Sequence, residues 1–174
     1  SKINFNVHGD IKKIKSFKME NDKSVDENLI SLISKIGEKI TIRRSKYFNK
    51  EGGKNYFYIH SAVEKNVGKI VSIVKILNND DNELGRKIAM HIAASSPLAI
   101  DEKGIQKDIV DKELEIIKAE LVNSGKKGEI ANKISKGKIN KFISDNTLMN
   151  QIWIMDPKKR VSDILNENKK KDNI

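Results

Sequence analysis

The side chains best suited to proton or metal chemistry at neutral pH are His8, His60 and His91. None stands in the His-x-x-x-His spacing that would put two imidazoles on one helix face. The 174 residues include no cysteine, which excludes disulfides, thiolate metal sites and a thiol nucleophile. There is no P-loop, no Gly-x-Gly-x-x-Gly after a strand and no nucleophile elbow. The carboxylates are spread over helix faces, where Asp108–Lys112 and Glu129–Lys133 have the i,i+4 spacing of solvated ion pairs. We therefore expect no catalytic residue, no metal ligand and no cofactor, and a protein that acts by binding. Two positions stand apart. His91 sits in an apolar run, Ile88-Ala-Met-His-Ile-Ala-Ala94, where it can be a histidine near the surface or one hydrogen-bonded beneath a sheet. Gly68 opens a strand-like run, as a bulge or turn glycine or as a place where another backbone comes close.

Periodicity predicts the elements that position these residues. In residues 1–23, Ile3, Phe5 and Val7 alternate like a short strand, and Ile11, Ile14 and Phe17 fit a helix. Ser24 and Glu27 have capping-box spacing, Val25, Leu29, Leu32, Ile33 and Ile36 share a helical face, and Gly37 can end the helix. Three strands are expected next. Residues 39–48 set Ile40 and Ile42 opposite Thr41 and Arg43. Residues 56–63 are aromatic and β-branched, and Val67–Leu77 is apolar enough to be a central strand buried on both faces. Short connections, one of them through Gly52-Gly53, imply antiparallel neighbours.

A helix over 83–95 follows, with Leu84, Ile88 and Ile92 on one face and Gly85, Ala89 and Ala93 beside them, and Pro97 as its stop. Helices over 105–123 and 129–144 come next. The first has Val110, Leu114, Ile117 and Leu121 as its stripe. The second carries a thinner stripe, Ile130, Ile134 and Phe142, among many lysines, so it should project and pack on one neighbour. Residues 148–155 read as extended, 161–165 as a short apolar patch and 166–174 as a frayed polar tail. Strands grouped before helices give an α+β fold with antiparallel strands packed against helices.

Net charge is +10, from 34 Lys+Arg against 24 Asp+Glu. An anionic partner would account for it. Only Arg43, Arg44, Arg86 and Arg160 are arginines, however, and Lys, Ile and Asn share A/T-rich codons, so composition accounts for it as well. Arginine forks and stacking aromatics, the usual base readers, are scarce, and no specific nucleic acid is expected. The rival function is a basic RNA-binding domain using Lys126, Lys127, Lys133, Lys136, Lys138 and Lys141. No apolar run approaches the ~20 residues of a membrane-spanning helix, so no membrane partner is expected.

Several stretches together resemble the bacterial elongation factor Ts family. They are Lys35-Ile-Gly-Glu-Lys-Ile-Thr-Ile-Arg-Arg44, Tyr58-Ile-His60, Val67-Gly-Lys-Ile-Val71 and Met90-His-Ile-Ala-Ala94 with Pro97. Ser124-Gly-Lys126, Glu129-Ile-Ala131, Gly137-Lys-Ile-Asn-Lys-Phe142, Leu148-Met-Asn-Gln151 and Met155-Asp-Pro157 continue the series in unbroken order.

The resemblance implies a cytoplasmic guanine nucleotide exchange factor for elongation factor Tu, without chemistry of its own. It implies a core of two subdomains, about 24–100 and 101–165, the second carrying a protruding antiparallel helical hairpin. It also implies partner-binding roles for Val67, Gly68 and His91, and a possible homodimer through the core. The small N-terminal helical domain of the family and its Thr-Asp-Phe motif are not matched, and no Asp is followed by Phe anywhere. The usual C-terminal module is not matched either. The expectation is a core, or dimerisation, domain cut from a longer protein.

Overall fold

The computed structural model describes residues 9–49, 51–64, 67–78 and 81–171. The alternation at Ile3, Phe5 and Val7 lies outside these, as do His8 and the last three residues of the tail. The chain divides into two compact units, Ser1–Glu51 and Gly52–Ile174.

In the first unit, α1 (Ile11–Ser16) is capped by Asp10, whose carboxylate accepts from the Lys12 and Lys13 amides. Helix α2 (Val25–Ile36) starts with the expected capping box and ends with Gly37 in the left-handed conformation. The backbone and side-chain hydrogen bonds from Ser24 hold the Glu27 carboxyl below its ordinary pKa. Residues 39–48 do not form the expected strand. Ile40 and Ile42 are half-buried and Thr41 and Arg43 exposed, so the two faces are as read, yet no ladder assigns a strand there. Alternation is a local property of an extended chain, whereas a strand needs a partner brought from elsewhere in the sequence.

The second unit is built on an antiparallel pair, β1 (Gly53–Glu64) and β2 (Val67–Leu77), with Tyr56 opposite Val74 and His60 opposite Ile70. One face receives α3 (Asn82–Ser95), whose first turn is capped by the Asp81 carboxylate. Tyr56 lies on Gly85, where a Cβ would come within 2.2–2.4 Å of the ring. Only a glycine permits that approach. The buried Ser72 hydroxyl donates to the Ala89 carbonyl, a second tie between sheet and helix.

The opposite face carries Phe57, Val71, Ile73 and Leu77, all at least half exposed. Val67–Leu77 is therefore a strand, but not one buried on both faces. Its β-branched residues favour extended backbone, while burial of a second face would need a second layer. The core under α3 joins Leu84, Ile88, Leu148, Trp153 and Val161, with Val74, Ile76, Ile164 and Leu165 packed against it.

Helices α4 (Lys107–Asn123) and α5 (Gly128–Asn146) form the expected hairpin and pack on each other. Gly125 has φ +72° in their connection, and Lys138 pairs with Glu120 across it at 2.6 Å. The last two expectations are corrected. Residues 148–155 form turns rather than an extended run, because Asn150 and Gln151 return their amides to the Thr147 carbonyl. The apolar patch at 161–165 is the first half of a helix, α6 (Val161–Lys171), which takes in most of the supposed tail. The Asp163 carboxylate accepts from the Arg160 amide and caps its start.

Candidate functional site

The C-terminus of α3 and the turn after α5 meet around one side chain, Gln151. Helix ends leave carbonyls without partners. Helix α3 stops where Ser96 takes a left-handed φ of +44° before Pro97, and this frees the Ser95 carbonyl. Helix α5 stops at Thr147, with the Asp145 carbonyl in its last turn. The amide nitrogen of Gln151 donates to both, at 2.8 Å to Asp145 and 3.3 Å to Ser95. Nearby, the Leu98 amide donates to Asn146, and the Leu148 and Met149 amides to Ala99 and Ile100. The chain leaving α3 is thereby laced to the chain leaving α5.

With its nitrogen committed to two carbonyls, the Gln151 oxygen faces His91, whose Nε2 lies 3.0 Å from it. An amide oxygen only accepts, so His91 carries its proton on Nε2 and donates. Nδ1 is buried with no partner among the described residues. His91 is 0% exposed and stacks on Trp153, with ring centroids 5.2 Å apart. Burial pushes its pKa below the ordinary histidine value, while the bond to Gln151 pulls the other way. A proton added at Nδ1 would be a buried donor without an acceptor, which costs about 1–3 kcal/mol. Burial and the unpartnered Nδ1 both favour the neutral imidazole.

Beyond Gln151 the chain makes a tight turn. The Trp153 amide donates to Lys159 at 2.8 Å, and the Val161 amide returns to the Gln151 carbonyl at 3.1 Å. Trp153 points into the core, whereas its neighbours Ile152, Ile154 and Met155 are exposed. Three apolar side chains on a short, braced turn are a compact contact surface.

Val67 and Gly68 sit apart from this cluster in the secondary structure, at the start of β2. Val67 is 52% exposed. Gly68 pairs with Ala62 beside an irregularity of the ladder. A Cβ at Gly68 would lie 2.4 Å from the Ile59 side chain and 2.7 Å from the His60 carbonyl. The close approach that requires glycine here is made by β1 of the same chain. Among the described residues no group of three His, Asp or Glu side chains is placed to hold a metal ion.

The sequence model of the family described as Elongation factor TS matches residues 2–173. The chain belongs to the elongation factor Ts family. Elongation factor Ts of Methylococcus capsulatus is 39% identical over 142 residues, 82% of this chain and 46% of that protein. Elongation factor Ts of Rickettsia massiliae is 32% identical over 157 residues, covering 87% and 51%. Elongation factor Ts of Caulobacter vibrioides is 31% identical over 166 residues, covering 93% and 53%. The chain spans about half the length of the curated relatives it matches.

Of the three residues marked by resemblance to elongation factor Ts, Val67 and Gly68 are neighbours on a partly exposed strand start, and His91 is enclosed. Gln151 and Trp153, which complete the cluster, carry no chemical signature of that role in the sequence. Gln151 stood within a matching stretch, and Trp153 is the single tryptophan of the chain. Neither signal showed that they would close over His91.

Proposed function

We propose that this chain acts in guanine nucleotide exchange on elongation factor Tu, promoting GDP release during translation elongation. Membership of the elongation factor Ts family along almost the whole chain carries the reading. The geometry adds a means of contact, an exposed Val67 at the rim of a braced sheet and an exposed apolar turn at 152–155. No step of exchange needs a bond made or broken by the factor, so the protein is not an enzyme in the chemical sense. What it must do is bind the empty partner better than the nucleotide-bound one. That difference is a coupling free energy, and nucleotide must weaken the factor by the same amount. We further propose that the chain acts in the cytoplasm, on the ground of its membership of a translation factor family. Among the described residues no helix is long and apolar enough to cross a membrane.

The family's two subdomains, about 24–100 and 101–165, remain part of this reading, as does self-association through the core. The open sheet face at Phe57, Val71, Ile73 and Leu77 is apolar surface that a second copy could cover.

The test is capture of the chain on purified, nucleotide-free elongation factor Tu, run beside bulk RNA over a salt series. Retention on the protein is expected, with weak RNA binding mostly abolished by ~200 mM salt, as for lysine–phosphate contacts alone. Salt-resistant RNA binding without capture by elongation factor Tu would replace this reading with the RNA-binding one.

A further inference from the structure

The tip of the helical hairpin carries chemistry that the exchange-factor reading does not use. Helix α4 ends where the Gly125 and Lys126 amides donate back to the Val122 and Leu121 carbonyls, both at 3.0 Å, with Gly125 in the left-handed region. Gly128 then opens α5 with φ +66°. Lys118, Leu121 and Val122 on α4, and Ala131, Asn132 and Ser135 on α5, have the three- and four-residue spacings of single helix faces. These two faces and the connecting Lys126-Lys-Gly128 line an open groove of about 460 Å³.

We propose that this groove binds a phosphate monoester of a small hydroxylated molecule. The phosphate sits at the hairpin tip, and the carbon body lies along Leu121, Val122 and Ala131 towards Ser135. The proposal does not depend on the exchange-factor reading.

The lining supplies donors and no competing acid. Lys118, Lys126 and Lys127 are exposed, none is ion-paired among the described residues, and no carboxylate lines the groove. Helix α5 is 19 residues long and begins with no side-chain cap. Its first-turn amides and the positive end of its dipole favour an anion. A Cβ at Gly128 would meet nothing within 4 Å, so the approach to that helix end is open. Ser135 points to a ligand independently. It is only 7% exposed and lines the groove, yet its hydroxyl has no hydrogen-bond partner among the described residues. A serine within a helix can satisfy itself on the carbonyl four residues back, as Ser16 does on Lys12 and Ser34 on Ile30. A buried hydroxyl left unmatched costs stability, and a ligand oxygen would match it.

The layout selects the ligand. Ser135 lies seven residues beyond Gly128, which is about 10 Å along a helix. One group cannot reach both, so the anion belongs at the tip and a hydroxylated body at Asn132 and Ser135. A phosphate monoester carries about −1.5 to −2 charges and three acceptor oxygens, enough to engage several lysines and the helix amides together. The lining has neither an aromatic ring nor an arginine on which a base would stack, so an RNA strand would find charge there and no platform. The groove's volume falls within the ~300–1,000 Å³ of small-molecule sites.

The test titrates the whole chain with ribose 5-phosphate, ribose, inorganic phosphate and oligouridylate, followed by amide NMR. Ribose 5-phosphate should shift the amides of residues 126–132 and of Ser135, and should bind more tightly than ribose or inorganic phosphate by about tenfold. Lys127→Gln should weaken it by about threefold, as for an exposed charge contact. Ser135→Ala should weaken it by a similar ~threefold, as for one hydrogen bond, and removes only an unpartnered hydroxyl from the fold. Lys136→Gln, on the same helix outside the lining, is the control and should leave affinity unchanged. A loss there equal to that of Lys127→Gln would show diffuse attraction to a basic hairpin and overturn the proposal. Equal binding of ribose would remove the role of the phosphate, and equal binding of inorganic phosphate would remove the role of the body. Either result would overturn it, as would the absence of shifts in the millimolar range. Shifts in these amides from oligouridylate and none from ribose 5-phosphate would assign the groove to a nucleic-acid backbone instead.

Discussion

The two places that resemblance marks for binding differ in kind. At the start of β2, Val67 is half exposed, and Gly68 is glycine because β1 crosses it closely. His91 itself is fully enclosed, with Nε2 bonded to Gln151 and Nδ1 buried without a partner among the described residues. A residue can matter to a partner by touching it or by shaping what touches it. Exposed Val67 should tolerate substitution as far as stability goes, whereas enclosed His91 should not. Burial separates the two where a motif cannot.

The sharpest way to break the contrast is Trp153→Ala. It removes a buried indole from the core and the stack on His91, and should cost about 3–5 kcal/mol in denaturant unfolding. A loss below ~1 kcal/mol would mean that the His91 region is not the packed junction described above. Next come the two glycines. Gly85→Ala puts a methyl into the Tyr56 ring and Gly68→Ala puts one into Ile59 and the His60 carbonyl, and each should cost about 1–3 kcal/mol. If Gly68→Ala were neutral to stability and damaging only to binding, the glycine would serve a partner's backbone and not β1.

Acid offers a milder probe. The folded state depresses the pKa of His91, so below the ordinary value of ~6.5 the unfolded chain binds more protons than the folded one. The stability from this group is present above that pH and is lost as pH falls through the folded value. Fluorescence of the single tryptophan, stacked on the ring, should follow the change. Replacing His91 by Gln should flatten stability between pH 7 and pH 5. An unchanged pH slope would mean that His91 is not the group responsible. The smallest expected effect is Val67→Ala, within about 0.5 kcal/mol of the parent in stability, but with measurably weaker binding to elongation factor Tu. A large loss of stability would erase the distinction between the two regions.

Much of the fold was legible wherever the signal was local. The Ser24–Glu27 capping box, the Gly37 stop, the α3 stripe with its close-packing Gly85, and the lysine-rich hairpin all follow from spacing within a few residues. What was not legible depended on distant neighbours. Alternation at 39–48 could not show whether a strand partner would arrive. The apolar run of β2 could not show that only one of its faces has a covering layer. The turns at 148–155 are set by Thr147, Val161 and Lys159, which lie on either side of them. The site was half legible. His91 stood out as a histidine among apolar residues. Its partner Gln151 is 60 residues away in sequence and was visible only as part of a matching stretch.

The central claim is that this chain discriminates between two states of elongation factor Tu. Titration calorimetry against the nucleotide-free and the GDP-loaded protein tests it most directly. Tighter binding to the empty form is expected, with added GDP releasing the chain, and every tenfold of difference corresponds to about 1.4 kcal/mol of coupling. Equal affinity for the two forms would contradict the account, because a factor that binds both alike cannot promote release of the nucleotide.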